Sequence, residues 1–410
     1  MTTFDPLILP NGTVIPNRLA KAAMEENMAD DDHAPSEALI RLYRRWAEGG
    51  AGLMITGNVM IDHRAMTGPG GVVLESDRFG ERFSAWAQAA RSRGGHVWMQ
   101  INHPGRQMPA SLGQGTLAPS EVAMDLGSFS RQFAVPQAMT EADIADVKAR
   151  FVKTAVLAER FRFTGVQIHA AHGYLISQFL SPITNKRSDR WGGSIENRAR
   201  LLVDVIKAVR AAVGTAFAVA VKLNSADFQR GGFSTDDAKT VLAMLNPLGI
   251  DLIELSGGSY EAPAMHGQTR DGRTLAREAY FLEFATDISS VARMPVMVTG
   301  GIRRYPVAQQ VLDSGIAMVG MGTALTLDPD LPNAWRTGAP NAPQLRAIPW
   351  KNKVLSSLGY MAMVKHQLRR LGAGKRTDPN VAPVLALLGQ QLDTYKRTRR
   401  YRRWVKRLDG

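Results

Sequence analysis

Eight short apolar runs rich in Val, Ile or Met punctuate the chain, and amphipathic segments separate them. The runs are LAKAAM (19–24), GLMITGNVM (52–60), HVWMQINH (96–103), GVQIHAA (165–171), FAVAVKLN (217–224), DLIELSGG (251–258), PVMVTGG (295–301) and AMVGMGTAL (317–325). Segments 36–48, 77–93, 140–161, 195–213, 235–248 and 277–292 carry apolar residues at helical spacing. Thr140 with Asp143, and Thr235 before Asp236 and Asp237, supply capping oxygens at two helix starts. Strand then helix, repeated eight times, predicts an α/β fold of the (β/α)8 TIM-barrel type, for which about 250 residues suffice. A doubly wound open sheet is the rival. The barrel is preferred because polar residues and glycines gather at the C-terminal ends of many runs, among them Glu25, Asn58, Gln100, His103, His169, His172 and Lys222. A barrel brings those ends to one mouth; an open sheet spreads them along an edge.

The 410 residues leave room for additions. Asn11-Gly12, between short apolar runs, predicts an N-terminal β-hairpin with a two-residue turn. Residues 1–340 are read as the barrel and 341–410 as a helical, basic C-terminal extension, with loop 104–139 expected to roof the mouth. No cysteine occurs, which excludes disulfides, thiolate catalysis, iron–sulfur clusters and cysteinyl cofactor links. The N-terminus lacks a basic region followed by an apolar one, and no apolar stretch reaches membrane-spanning length, so a cytoplasmic location is expected. The formal charge is +13, and KRTRRYRRWVKR (396–407) holds eight basic residues in twelve. This segment is read as a solvated, partly disordered tail in preference to a membrane or nucleic-acid tether anchored by Tyr401 and Trp404.

Three constellations carry chemistry. Glycine turns in VTGGIR (298–303) and VGMGTAL (319–325) follow the last two strands, where backbone amides can converge on a phosphate; close strand–helix packing is the competing explanation. Gln100 and Lys222 sit at the ends of strands 3 and 5. A carboxamide can pair with a pyrimidine-like edge, and a lysine among apolar neighbours needs negative charge, so a ring that can become anionic, such as reduced flavin, satisfies both. In GVQIHAAHGYL (165–175), alternation puts Gln167 and His169 on one strand face, with His172 and Tyr174 following in the loop. A metal site would need a third ligand; His103 is available, but no carboxylate recurs at ligand spacing, and no metal is expected. Proton donation or an anion grip therefore stands ahead of metal binding and of a purely structural pair.

With these residues assembled, the chain resembles the old yellow enzyme family of FMN-dependent NADH:flavin oxidoreductases and ene-reductases over about residues 4–336. The stretch HAAHGYLISQFLSPITNKRSDRWGGSIENRARL (169–201) carries the likeness most specifically, with FDPLILPNGTVIPNRLAKAAMEENMA, QINHPGRQ and VKLNSADFQRGGFS beside it. The resemblance implies non-covalent FMN at the barrel mouth and NADH or NADPH as reductant. Ala23, Met24 and Glu25 would border the flavin, as would Gly57. Gln100 and Lys222 would meet its pyrimidine end, and Gly300, Gly301, Gly322 and Thr323 its phosphate. It further implies that His169 and His172 grip the oxygen of an activated alkene, an α,β-unsaturated carbonyl or nitro compound, while Tyr174 supplies the proton.

Three departures stand out. Glu25 occupies a position where relatives place threonine or cysteine, and Thr323 one where they place a phosphate-gripping arginine, a charge that Arg303 or a nearby basic residue could supply. The C-terminal extension lies outside the resemblance. A flavin-independent phosphate-binding barrel, an isomerase or hydrolase using His169 and His172, is the alternative, and a homo-oligomer is left open.

Overall fold

The computed structural model describes residues 1–262, 278–279 and 281–409. Eight strands follow in chain order: β1 Leu19–Lys21, β2 Leu53–Ile55, β3 His96–Asn102, β4 Gly165–Ala170, β5 Ala218–Asn224, β6 Leu252–Ser256, β7 Val296–Thr299 and β8 Met318–Met321. Each pairs parallel with the next, and β8 pairs back onto β1 through Val319↔Leu19 and Gly320↔Ala20. The sheet closes, which decides for the barrel over the open sheet. Around it lie α1 Glu37–Glu48, α2 Gly80–Ala90, α3 Glu141–Arg160, α4 Leu175–Leu180, α5 Ile195–Ala212, α6 Thr235–Leu245, α7 Leu282–Ser289 and α8 Tyr305–Asp313, then α9 Thr323–Leu327 and α10 Leu331–Arg336. Of the helix expected over 277–292, α7 is the observed part; residues 277 and 280 lie outside the described residues.

Alternation along the strands creates two environments. Val166 and Ile168 of β4 face outward into the helix-facing core, with Phe151 of α3 and Leu202 of α5. Inward-facing Trp98, Ala218, Ala220, Leu252, Met297 and Met318 fill the N-terminal half of the barrel, and Leu7, Leu9 and Ile15 of the hairpin plug that end. Further along the same inward faces the residues turn polar, as in Ala218, Ala220, Lys222 of β5 and Leu252, Glu254, Ser256 of β6. The apolar floor thus supports a polar mouth.

Two local expectations are corrected. The hairpin turn is built on Leu9–Gly12, with Gly12 N–H donating to Leu9 O (2.9 Å) and Gly12 alone taking positive φ (+83°). Pro10 fits this turn's second position, and Gly12 acts as the left-handed bulge residue, so Asn11-Gly12 is not a two-residue turn. At α6 the cap is Ser234, not Thr235: the Ser234 oxygen accepts from Asp237 N–H and the Asp237 carboxylate accepts from Ser234 N–H. Thr140 and Asp143 form the same reciprocal box at α3.

The extension forms α11 Lys353–Gly372 and α12 Pro383–Asp409. Segment 396–407 belongs to α12 and is not a solvated tail. Tyr401, Trp404 and Val405 are buried with Met60, Met66, Val73, Met108 and Leu112. Tyr401 Oη donates to His63 O (2.8 Å), and Trp404 lies 4.3 Å, centroid to centroid, from His33. Most of the basic side chains are exposed away from this face, but Arg397, one turn before Tyr401, lies on it and donates to Ala29 O (2.9 Å). Trp404→Ala is expected to destabilise the protein by about 3–5 kcal/mol, the usual range for removing a buried tryptophan, read as a shift in urea midpoint. An unshifted midpoint would show that this face does not anchor the extension. Among the described residues no helix is long and apolar enough to cross a membrane.

Candidate active site

The C-terminal ends of the strands surround a cavity of about 610 Å³. His169, His172, Tyr174, Gln100, Lys222, Ala23, Met24, Glu25, Gly300, Gly301, Gly322 and Thr323 all line it. A larger open groove beside α2, about 1130 Å³, contains none of them. Gly57 is buried behind the cavity, its N–H donating to Tyr43 Oη (3.2 Å), and does not line it. His103 is buried away from it as well.

His169 is the last inward residue of β4 before the chain turns. Its Nδ1 accepts from Ala171 N–H (3.3 Å), which puts the ring proton on Nε2. Burial, aided by the Lys222 charge, holds its pKa well below the ordinary value, so the ring is a neutral N–H donor. His172 takes a left-handed φ of +61°, followed by Gly173 at +75°. This sharp turn returns the chain over the mouth, held by His172 N–H to Asn224 Oδ1 (3.0 Å) and by Nε2 against Ser256 Oγ (2.7 Å). The two imidazoles meet edge-on at 5.2 Å, and the Tyr174 ring lies 4.8 Å from His169. Burial, the neighbouring Tyr260 and the Glu25 charge push the Tyr174 phenol well above its usual pKa, so it carries its proton at neutral pH.

Beneath this trio lies a connected polar layer. Gln100 Nε2 donates to Gln167 Oε1 (2.8 Å), Gln167 Nε2 to Glu254 Oε2 (2.8 Å), and Lys222 Nζ to Glu254 Oε1 (2.7 Å), which also accepts from Thr299 Oγ1 (2.6 Å). Glu254 escaped the sequence reading. Its signal was nonetheless present, because a carboxylate inside the apolar run of β6 falls in register opposite Lys222 of β5.

At the phosphate end, Gly300 and Gly301 have φ of +157° and +72°, the second in the left-handed region that side chains disfavour. Arg303 lines the cavity while paired with Glu278 (2.9 Å), and Arg346 also reaches it from the extension. Among the described residues, loop 104–139 contributes no lining residue, which corrects its expected role as roof. The wall comes instead from 343–348 and from α11, including Tyr360 and Lys365. Lys365 Nζ lies 3.3 Å from Glu25 Oε2. Burial alone would raise the Glu25 carboxyl, but the Lys365 charge and hydrogen bonds from Thr67 and Asn27 outweigh it and keep its pKa below the usual range. Glu25 is therefore ionised and turned to a cation that the sequence reading did not connect to it.

Among the described residues, one cluster has metal-ligand proximity, Asp62, His63 and Glu75, and it contains none of the candidate site residues. Arg64 and Arg150 already pair with its carboxylates.

A cavity of this size, with a carboxamide and an ammonium on its floor and a left-handed glycine turn at one end, has the donor set that a flavin nucleotide requires. Fold and site together define the class of barrel oxidoreductases that work with a flavin. The chain belongs to the NADH:flavin oxidoreductase / NADH oxidase family, whose family model matches residues 2–341, and with it to the old yellow enzymes. FMN with an NADH-type reductant is the cofactor set of that membership. The chain is 36% identical over 351 residues to NADH-dependent flavin oxidoreductase iliE of Hypocrea jecorina (strain QM6a), covering 80% of this chain and 87% of that protein. It is 38% identical over 355 residues to the iliE protein of Neonectria sp. (strain DH2), but spans 46% of that longer relative and 80% of its own length. The old yellow enzyme homologue from Zymomonas mobilis superposes with a TM-score of 0.72 at 28% identity, covering 85% and 95% of the two chains.

Proposed function

We propose that this enzyme reduces the activated C=C bond of α,β-unsaturated carbonyl or nitro compounds at the expense of NADH. When bound, FMN supplies the hydride, taken from the reductant and passed to the β-carbon of the alkene. Gln100 and Lys222 would orient the ring and favour its electron-rich form, Ala23, Met24 and the Glu25 backbone would border it, and Gly300, Gly301, Gly322 and Thr323 would receive its phosphate. His169 Nε2–H and the adjacent His172 would grip the substrate oxygen, where negative charge develops in the transition state. Tyr174, protonated and 4.8 Å from His169 ring to ring, would give its proton to the α-carbon.

The observation that carries this reading is the neutral His169 donor, whose tautomer the Ala171 N–H fixes, set beside a phenol that stays protonated. Two neutral donors suit a developing enolate and leave it the strongest base in the site.

Purified protein is expected to be yellow, to bleach with NADH under argon, and to regain colour with 2-cyclohexen-1-one. A protein that stays colourless after incubation with FMN would overturn the reading. The double variant His169→Ala, His172→Ala is expected to keep FMN and to bind phenols at least about tenfold more weakly, as two lost hydrogen bonds to an anion predict. Loss of the long-wavelength phenolate–flavin absorption reads it out, and phenol titrations matching the parent's would remove the anion grip.

A further inference from the structure

We propose that Tyr260 re-protonates Tyr174, so that the two phenols form a proton relay from solvent to the α-carbon of the alkene. The relay rests on the ene-reduction reading. Tyr174 and Tyr260 place their hydroxyl oxygens 3.0 Å apart, with ring centroids at 5.9 Å and planes near perpendicular at 74°. Both side chains line the cavity. Tyr174 is 5% exposed and, once it has given up a proton, needs another before the next turnover. Tyr260 is the more accessible of the two residues and lines the open cavity, which gives the relay its route to solvent. Asn58 also reaches the Tyr174 hydroxyl, but an amide has no acidic proton to return.

Three contacts hold Tyr260 in place. Its N–H donates to Gln107 Oε1 (3.3 Å), the preceding Ser259 bridges to His172, and the following Glu261 is tied to Arg106 in a buried ion pair. Its ring also lies 6.2 Å from Phe133. Burial, with the nearby Glu25 charge, raises the pKa values of both phenols. Each tyrosine therefore rests as O–H, a donor ready in series, while Lys365 of α11 balances the Glu25 charge.

The steps balance. The Tyr174 O–H bond breaks as the α-carbon C–H bond forms; the Tyr260 O–H bond breaks as that of Tyr174 re-forms; water returns a proton to Tyr260. No electron moves in the relay, and the alkene gains one hydride and one proton.

Tyr260→Phe in the FMN-loaded enzyme tests it. With 2-cyclohexen-1-one as oxidant, turnover is expected to fall about 10- to 10²-fold, the lower range for loss of one proton-transfer group. With Tyr260 giving its proton to Tyr174 in the same step in which Tyr174 protonates carbon, the dependence of rate on D2O fraction should change from bowed in the parent to linear in the variant. Bleaching by NADH and reoxidation by ferricyanide, which needs no carbon protonation, should keep the parent's rates. Parent-like alkene turnover with a bowed D2O dependence would overturn the relay. Equal slowing of all three reactions would overturn it too, by showing a structural role. A parent enzyme that NADH bleaches but cyclohexenone does not reoxidise would instead defeat the ene-reduction reading and carry the relay down with it.

Discussion

Tyr174→Phe is expected to slow alkene reduction by about 10²-fold or more, the scale of one general acid, while bleaching by NADH proceeds as in the parent. The separation follows from geometry. The ring of Tyr174 packs edge-on to His169 and fills the same space in the variant, so the oxygen grip and the cofactor floor remain. Only the hydroxyl is lost, and its proton is used after the hydride has been delivered, not when the reductant is oxidised. Stopped-flow traces of the two half-reactions check this. Equal slowing of both would mean that the ring, and not the proton, is what the site needs.

Glu254→Ala is expected to destabilise the enzyme by about 3–5 kcal/mol, the usual result of removing one partner from a buried ion pair. Lys222 is 3% exposed and Glu254 fully buried, so the lysine would be left charged without a counterion. The same change strips acceptors from fully buried Gln167 and from Thr299 on the cavity wall. Glu254→Gln keeps the shape and an acceptor and should lose less. Replacing both members by Glu254→Leu and Lys222→Met should be closer to neutral in stability, because no unpaired charge remains, while FMN affinity falls. Urea denaturation with a parallel FMN titration separates the two effects. A Glu254→Ala protein with an unchanged midpoint would show that Lys222 does not depend on this partner.

Much of the fold was legible because a parallel barrel buries its strands on both faces, which leaves nearly unbroken apolar runs with polar residues only at their ends. That is why His169, Gln100 and Lys222 could be placed at one mouth from their position in a run. Gly57 was misplaced because a glycine after a strand looks the same whether it faces the cavity or, as here, gives its N–H to Tyr43. The hairpin turn was misread because Pro10-Asn11 and Asn11-Gly12 are both good turn pairs, and which one closes depends on strand register. Tyr260, Arg346 and Lys365 were invisible for a different reason. Their roles come from contacts across long stretches of chain, and nothing in a lysine on a helical pattern says that it will meet a carboxylate 340 residues away.

That last contact bears on how the protein is made. A chain synthesised from its N-terminus can close the barrel as soon as β8 has emerged, yet α11 is not there to finish the cavity. A barrel closed at that point would still lack the cavity wall that residues 343–348 and α11 supply. The cavity is therefore complete only when residues of α11, made after the last barrel strand, have packed against its mouth.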